Sequence, residues 1–355
     1  MHVPPSGPID SQASADALLV ASLQAAALLG ERSATAGVAL ARPPAFGIDD
    51  EARARAGSLI AAAIAAAETA LRAAEPLLDV GATGAVVDRF IQAGLLAQSG
   101  LAAAALLRAE EHRLAAALVR DAGETEGPGV QRLDPIGGDF AAESFAVRAA
   151  EAARTERTGD PLLPLHDITA EDRHALFWQV AACLATVSLA EAVSEEALHR
   201  AAGAAVARTL AAIDDGEGIA PAAMQLARRL DDAHQLDDRL LAGTLAAGRI
   251  ASLAAMLAVR AGIPFDDARA MLTDPARFAV LLRACDVDRG IAAAMILALA
   301  LGLDRGFGVD PAEAAARLVD AYERLPVDRA RGEVRRVRLE PLYRDALAAL
   351  SDRPC

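Results

Sequence analysis

Apolar residues recur at three- and four-residue spacing along most of the chain, with short polar breaks between runs, and this spacing predicts a succession of amphipathic helices. A first helix is expected over about 13–30, stopping at Gly30. After Pro43-Pro44, Asp49 or Asp50 offers an N-cap for a helix that reaches about Ala74 and ends before Pro76. Thr83 can cap the next, in which Val86, Val87, Phe90, Ile91 and Leu95 share a face, and beyond a break near Gly100 another continues to about Arg120. The text DAGETEGPGVQRLDPIGGD then loses all periodicity and reads as a linker over about 121–139, followed by one helix over about 140–156 and a second connection, TGDPLLPLHDI.

Regular patterning resumes at Thr169. With Asp172 three residues on it forms a near capping box, and Leu176, Phe177, Val180, Cys183, Leu184 and Val187 lie on one broad stripe behind it. Ser194 starts a helix to Ile213, and Pro221 suits the first turn of its successor. Short helices follow at about 235–248, 249–261, 265–273, 276–285 and 288–302, and Asp310-Pro311-Ala312-Glu313 places cap, first-turn proline and third-position acid in order. Helix starts fall at irregular intervals of about 10 to 27 residues, which excludes a regular tetratricopeptide or ankyrin array. The expectation is an all-α protein of stacked antiparallel helix hairpins, an irregular HEAT-like repeat or a multi-helix bundle. Three stretches are read: an N-terminal helical region, 1–120; a linker with one helix, 121–168; and a C-terminal helical-repeat domain with an Arg-rich end, 169–355.

Composition strengthens the helical reading. Of 355 residues, 54% are hydrophobic and only 3% aromatic, and about a quarter are alanine, the best helix former and a residue depleted in strands. A formal charge of −14 and a pI near 4.9 argue against a nucleic-acid or anionic-membrane surface, so neither partner is expected. Every basic residue is arginine, and the absence of lysine excludes a Walker-type phosphate loop. Cys183, Cys285 and Cys355 form no short-spaced pair, which suits inert thiols in a reducing cytoplasm. The start MHVPPSGPIDSQ has no cationic segment and no apolar signal core. The most apolar windows, about 57–69 and 290–303, fall short of the roughly 20 residues that a membrane span needs. A cytoplasmic location is therefore expected.

Residues 240–299 carry a recurrent small-and-apolar pattern: Leu245 to Gly248, Leu253 and Leu257, Gly262, Leu272, then Leu281, Leu282 and Arg283-Ala284-Cys285. With the upstream EDRHALFWQVAACL around Trp178, this text resembles the bacterial family of domain of unknown function 2336, mainly over residues 169–303. The resemblance implies a helical, HEAT-like fold and a non-enzymatic role. It transfers no catalytic or ligand residue.

The polar clusters each have two readings. Asp231, His234 and Asp238 would share a face if a helix ran through them, a usable geometry for a divalent metal. As a solvated break, the same text makes Asp237 or Asp238 an N-cap and a first-turn acid. Glu110-Glu111-His112 and Glu171-Asp172-Arg173-His174 lack the HExxH order of a zinc site and fit polar helix faces. Asp214-Asp215-Gly216-Glu217-Gly218 is half of a calcium loop at best, or a glycine-terminated helix end. No GxSxG nucleophile elbow occurs. Near the C-terminus Arg324, Arg329, Arg331, Arg335, Arg336, Arg338 and Arg344 face only Asp328, Glu333 and Glu340, a stretch that either docks an anionic partner or lies on the acidic body. Trp178 serves either helix packing or an interface.

These features predict no catalytic and no cofactor-binding residue. His174, Asp231, His234 and Asp238 stand as metal candidates, and Trp178, Arg331, Arg335, Arg336 and Arg338 as interaction candidates. The expected function is a non-enzymatic interaction or regulatory scaffold with a protein partner or a second copy of itself. Two alternatives stand beside it: a binder of a hydrophobic small molecule between helices, and a metal-dependent hydrolase using the clusters around 171–174 and 231–238. Convergence of His174, His199 and His234 would favour the last.

Overall fold

The computed structural model describes residues 14–26, 35–37, 50–79, 84–98, 100–125, 138–188, 194–214, 216–303, 310–336, 339 and 343. Among them the protein is all-α, and apart from one isolated bridge between Thr155 and Pro161 no strand pairing occurs. The helices are α1 (Ser14–Ala26), α2 (Asp50–Ala74), α3 (Ala85–Gln92), α4 (Leu101–Thr125), α5 (Ala141–Ala152), α6 (Ala170–Ser188), α7 (Glu195–Ala212), α8 (Ile219–Asp232), α9 (Asp238–Ala246), α10 (Ile250–Ala261), α11 (Phe265–Met271), α12 (Pro275–Ala284), α13 (Arg289–Leu303), α14 (Pro311–Arg324) and α15 (Val327–Arg336). Gly30, Pro43-Pro44, Asp49, Thr83 and Cys355 lie outside the described residues. Helix α4 runs five residues into the stretch read as linker, whose central part is likewise outside them.

Contacts divide the chain into two compact units, one of Leu29–Glu110 with Arg148–Pro221 and the other of Met1–Leu28, Glu111–Val147 and Ala222–Cys355. Three of the four boundaries fall within α4, α5 and α8, so each unit is assembled from stretches distant in sequence.

In the first of these units α2 packs against α3, α6 and α7. Its buried positions Ala56, Leu59, Ile60, Ala63, Ile64, Ala67 and Leu71 follow the three-and-four spacing, and they meet Phe90, Leu176, Phe177 and Val180 in one core. Each large aliphatic or aromatic side chain buried there contributes roughly 1.5–3 kcal/mol, and the alanines between them let helix backbones approach closely. At 25 residues, with mean hydropathy 1.3 over its most apolar window, α2 is long and apolar enough to cross a membrane by length and composition, more than the sequence windows suggest. Of that window 44% is buried, and those positions line this core, while Ala62, Ala65 and Ala66 are exposed. Two buried ion pairs lock the unit: Glu68 with Arg72 at 2.8 Å, Arg72 also donating to Leu78 O, and Arg154 with Asp167 at 2.7 Å. Arg108 donates to the carbonyls of Leu162 and Arg154, fixing the irregular connection after α5. Thr169 and Asp172 form the anticipated cap, and Asp172 Oδ1 also accepts the Gly100 N–H at 3.0 Å. A Cβ at Gly100 would sit 2.5 Å from the Asp172 carboxyl carbon, so a larger residue there would displace the Asp172 carboxylate.

The other unit is centred on α10 and α12, in which Ile250–Ala258 and Ala276–Leu282 are buried without interruption. A helix apolar nearly all round, as α10 is before Arg260, belongs in an interior, while the buried run of α12 includes Arg277, which donates to Ala270 O. Around them, α9 and α11 pack on α10, while α13, α14 and α15 pack on α12. Asp310 caps α14 by accepting the Ala312 N–H, with Pro311 in the first turn, and Asp237 caps α9 by accepting the Leu240 N–H. The turn between α9 and α10 uses Gly248 at φ 68°, beside Ala115 and Val119 of α4. Arg113 of α4 donates to the carbonyls of Gly302 and Leu303, satisfying the end of α13.

Candidate functional site

No helix runs through the Asp231–Asp238 cluster. Helix α8 stops at Asp232, His234 adopts the left-handed conformation at φ 55°, and α9 begins at Asp238. The shared face that a metal would need is therefore not built. Asp237 is the N-cap, as the alternative reading of this text had it. Asp238 is a cross-link: Oδ1 accepts from Arg260 Nη1 at 2.6 Å and Oδ2 accepts the Asp288 N–H at 2.7 Å. Arg260 in turn donates through Nη2 to Cys285 O at 2.7 Å. One carboxylate thus ties the start of α9, the end of α10, the end of α12 and the start of α13.

His174 lies in the other unit, on α6, and its Nε2 accepts from the Trp178 indole N–H at 3.0 Å. The Nε2 lone pair of His174 is thus taken up by the indole N–H. His199 is exposed on α7. Among the described residues no group of three or more His, Cys, Asp or Glu side chains lies placed to hold a metal. Glu111 is buried and paired with Arg269 at 3.8 Å, and Asp172 belongs to the α6 cap. Asp214 accepts the Gly216 N–H in a local turn, while α7 ends on Ile213 in extended conformation, so glycine does not terminate that helix; Asp215 is outside the described residues.

Among the described residues Cys183 and Cys285 are buried and unpaired. Burial pushes Cys285 up to about 12, against the smaller lowering influence of Arg260, and burial likewise raises Cys183. Tyr322 is also raised to about 12 by burial. Its hydroxyl donates to Val287 O, and the Arg283 guanidinium lies 5.2 Å from its ring centroid.

The Arg-rich end mostly faces its own unit. Arg324 donates to Ser14 Oγ and Arg329 pairs with Asp16 at 2.5 Å, joining α14 and α15 to the start of α1. Arg331 donates to Ala284 O at the end of α12, Arg283 donates to Leu325 O, and Arg336 pairs with Glu333 at 3.2 Å. Cations on helix-end carbonyls satisfy groups that the helix leaves open. Arg335 is exposed in the last turn of α15, and Arg338 and Arg344 lie outside the described residues.

Trp178 is the chain's single tryptophan and keeps 45% of its surface exposed, although it neighbours the buried Phe177. Successive helical residues are turned by about 100°, so Phe177 faces the core while Trp178 lies over the seam with α7. A Cβ at Gly203 of α7 would lie 3.7 Å from the far edge of the indole. Because the indole N–H is already bonded to His174, the ring presents only its apolar face outward. Sequence spacing placed Trp178 on α6 correctly, but nothing in it revealed the His174 bond or the glycine beneath the ring.

A model of the family described as an uncharacterised protein conserved in bacteria, DUF2336, matches residues 137–335. Comparison with curated proteins finds no match, and comparison with solved structures finds none.

Proposed function

The chain belongs to the DUF2336 family of bacterial proteins, and on that premise we propose that it is a non-enzymatic interaction or regulatory scaffold that docks a protein partner or a second copy of itself. The observation that carries this reading is Trp178, hydrogen-bonded to His174 beside α7 and half exposed inside the family-matched segment. Tryptophan is the residue most enriched among side chains that dominate interface energies. The polar clusters that would otherwise suggest chemistry support the same reading, since Asp238, Glu111 and Asp172 bond within their own units. Unpaired buried thiols fit a reducing, cytoplasmic setting, and irregular short helices fit a HEAT-like stack.

The test uses the sole tryptophan as its own probe. Light scattering over a concentration series should show a species larger than one chain, with indole emission moving to shorter wavelength as it forms. Trp178→Ala should shift the assembly toward monomer while leaving the circular dichroism unchanged. A strict monomer at all concentrations that also retains no protein in a pull-down from lysate of its own host overturns the proposal.

A further inference from the structure

Between α8 and the end of α10 lies a groove of about 450 Å3 whose lining includes Met224 and Arg228 on one side and Ala258, Val259, Ile263 and Pro264 on the other. It is a shallow depression, open to solvent over most of its extent. Met224 and Arg228 are four residues apart and so share one face of α8. The opposite wall is made apolar by how α10 ends. Gly262 turns left-handed at φ 63°, its N–H bonds Val259 O, the Ile263 N–H bonds Ala258 O at 3.0 Å, and Pro264 brings no N–H of its own. Those backbone groups are satisfied, which leaves Arg228 as the one charged side chain in the lining among the described residues.

Arg228 differs from its neighbours. Arg229 pairs with Glu143 at 3.4 Å and Arg260 is fixed between Asp238 and Cys285 O. Arg228 is exposed and forms no ion pair among the described residues, not even with Asp232 one turn further along α8. An aliphatic wall with a thioether on its rim and a single unpaired guanidinium suits a ligand with a saturated body and one anionic head. It does not suit a sugar or a nucleobase, which need several polar partners or an aromatic platform.

We infer that this groove binds a free aliphatic carboxylate, its chain against Met224, Val259 and Ile263 and its head on Arg228. The site lies in one unit and does not depend on the scaffold reading, which rests on Trp178.

The experiment is a titration of full-length protein labelled at the methionine methyls, of which there are five, with Met224 assigned by Met224→Leu. Decanoate, decanol and acetate are the probes, all below their aggregation limits. Decanoate should move the Met224 methyl saturably, decanol should bind about three- to five-fold more weakly, the scale of an exposed Arg–carboxylate pair, and acetate should have no effect. Arg228→Gln, a change at an exposed site, should bring decanoate down to the decanol value. Failure of decanoate to move Met224, uniform unsaturable shifts of all five methyls, or equal decanoate affinity in Arg228→Gln overturns the inference. So does a response to phosphatidylglycerol vesicles with none to free decanoate, which would assign the groove to a membrane surface.

Discussion

Replacing Asp238 distinguishes a structural cross-link from a metal ligand. Asp238→Ala removes a carboxylate that accepts from the Arg260 guanidinium at 2.6 Å and from the Asp288 N–H at 2.7 Å. Hydrogen bonds with one charged partner contribute about 1.5–3 kcal/mol each. The two side chains of the ion pair are 22% and 18% exposed, so water recovers part of that value when the pair is broken. A net loss of about 2–3 kcal/mol is expected. For a unit of roughly 150–250 residues this lowers Tm by about 4–12 °C. Asp238→Asn keeps an acceptor for the Asp288 N–H and loses only the charge facing Arg260, so about half the effect should remain. Thermal unfolding followed by circular dichroism, with and without Mn, Mg, Zn and Ca, measures both quantities. A change below about 1 °C for Asp238→Ala would refute the cross-link. A divalent ion that stabilises the wild type but not the variant would return Asp238 to a ligand role.

Other positions give equally direct expectations. Gly37→Ala would press a methyl group against Leu96 O and within 2.7 Å of Ala97 Cα, backbone that cannot yield cheaply, and should cost on the order of 3 kcal/mol in urea unfolding; a neutral outcome would mean that the two segments do not touch. Tyr322 has its folded pKa raised from 10.0 to about 12, so its neutral form stabilises the fold below pH 10 and that contribution is lost as pH rises through about 12. Wild-type stability should therefore fall more steeply over this window than that of Tyr322→Phe, and parallel slopes would contradict the burial. In a Cys355→Ser variant the remaining thiols, both raised by burial, should react with a chromogenic disulfide at pH 8 only after urea unfolding, and fast labelling of the folded protein would show an accessible thiolate.

What could be read along the chain was whatever acts within four residues. Asp310-Pro311, the Thr169–Asp172 cap, Asp237 before α9 and the short helices from 238 to 303 all appear where local spacing put them, because a cap or an apolar stripe depends on its immediate neighbours. Helix formation was determined at that range, and so was the all-α class, since an alanine-rich, aromatic-poor chain has little else to form. Whatever depended on distant partners was open until the helices packed. Asp238 finds Arg260 across 22 residues and Asp288 across 50, a pairing that no local pattern encodes, and it turned a metal candidate into a cross-link. The Arg-rich end reads as a cationic patch until Ser14 and Asp16, more than 300 residues away, take up Arg324 and Arg329. Trp178 could equally have been core or surface; the 100° rotation from Phe177 and the choice of which α6 face meets α2 and α7 placed it outside. Segments distant in sequence interleave into two units because burial rewards any apolar face that fits, whatever its distance along the chain.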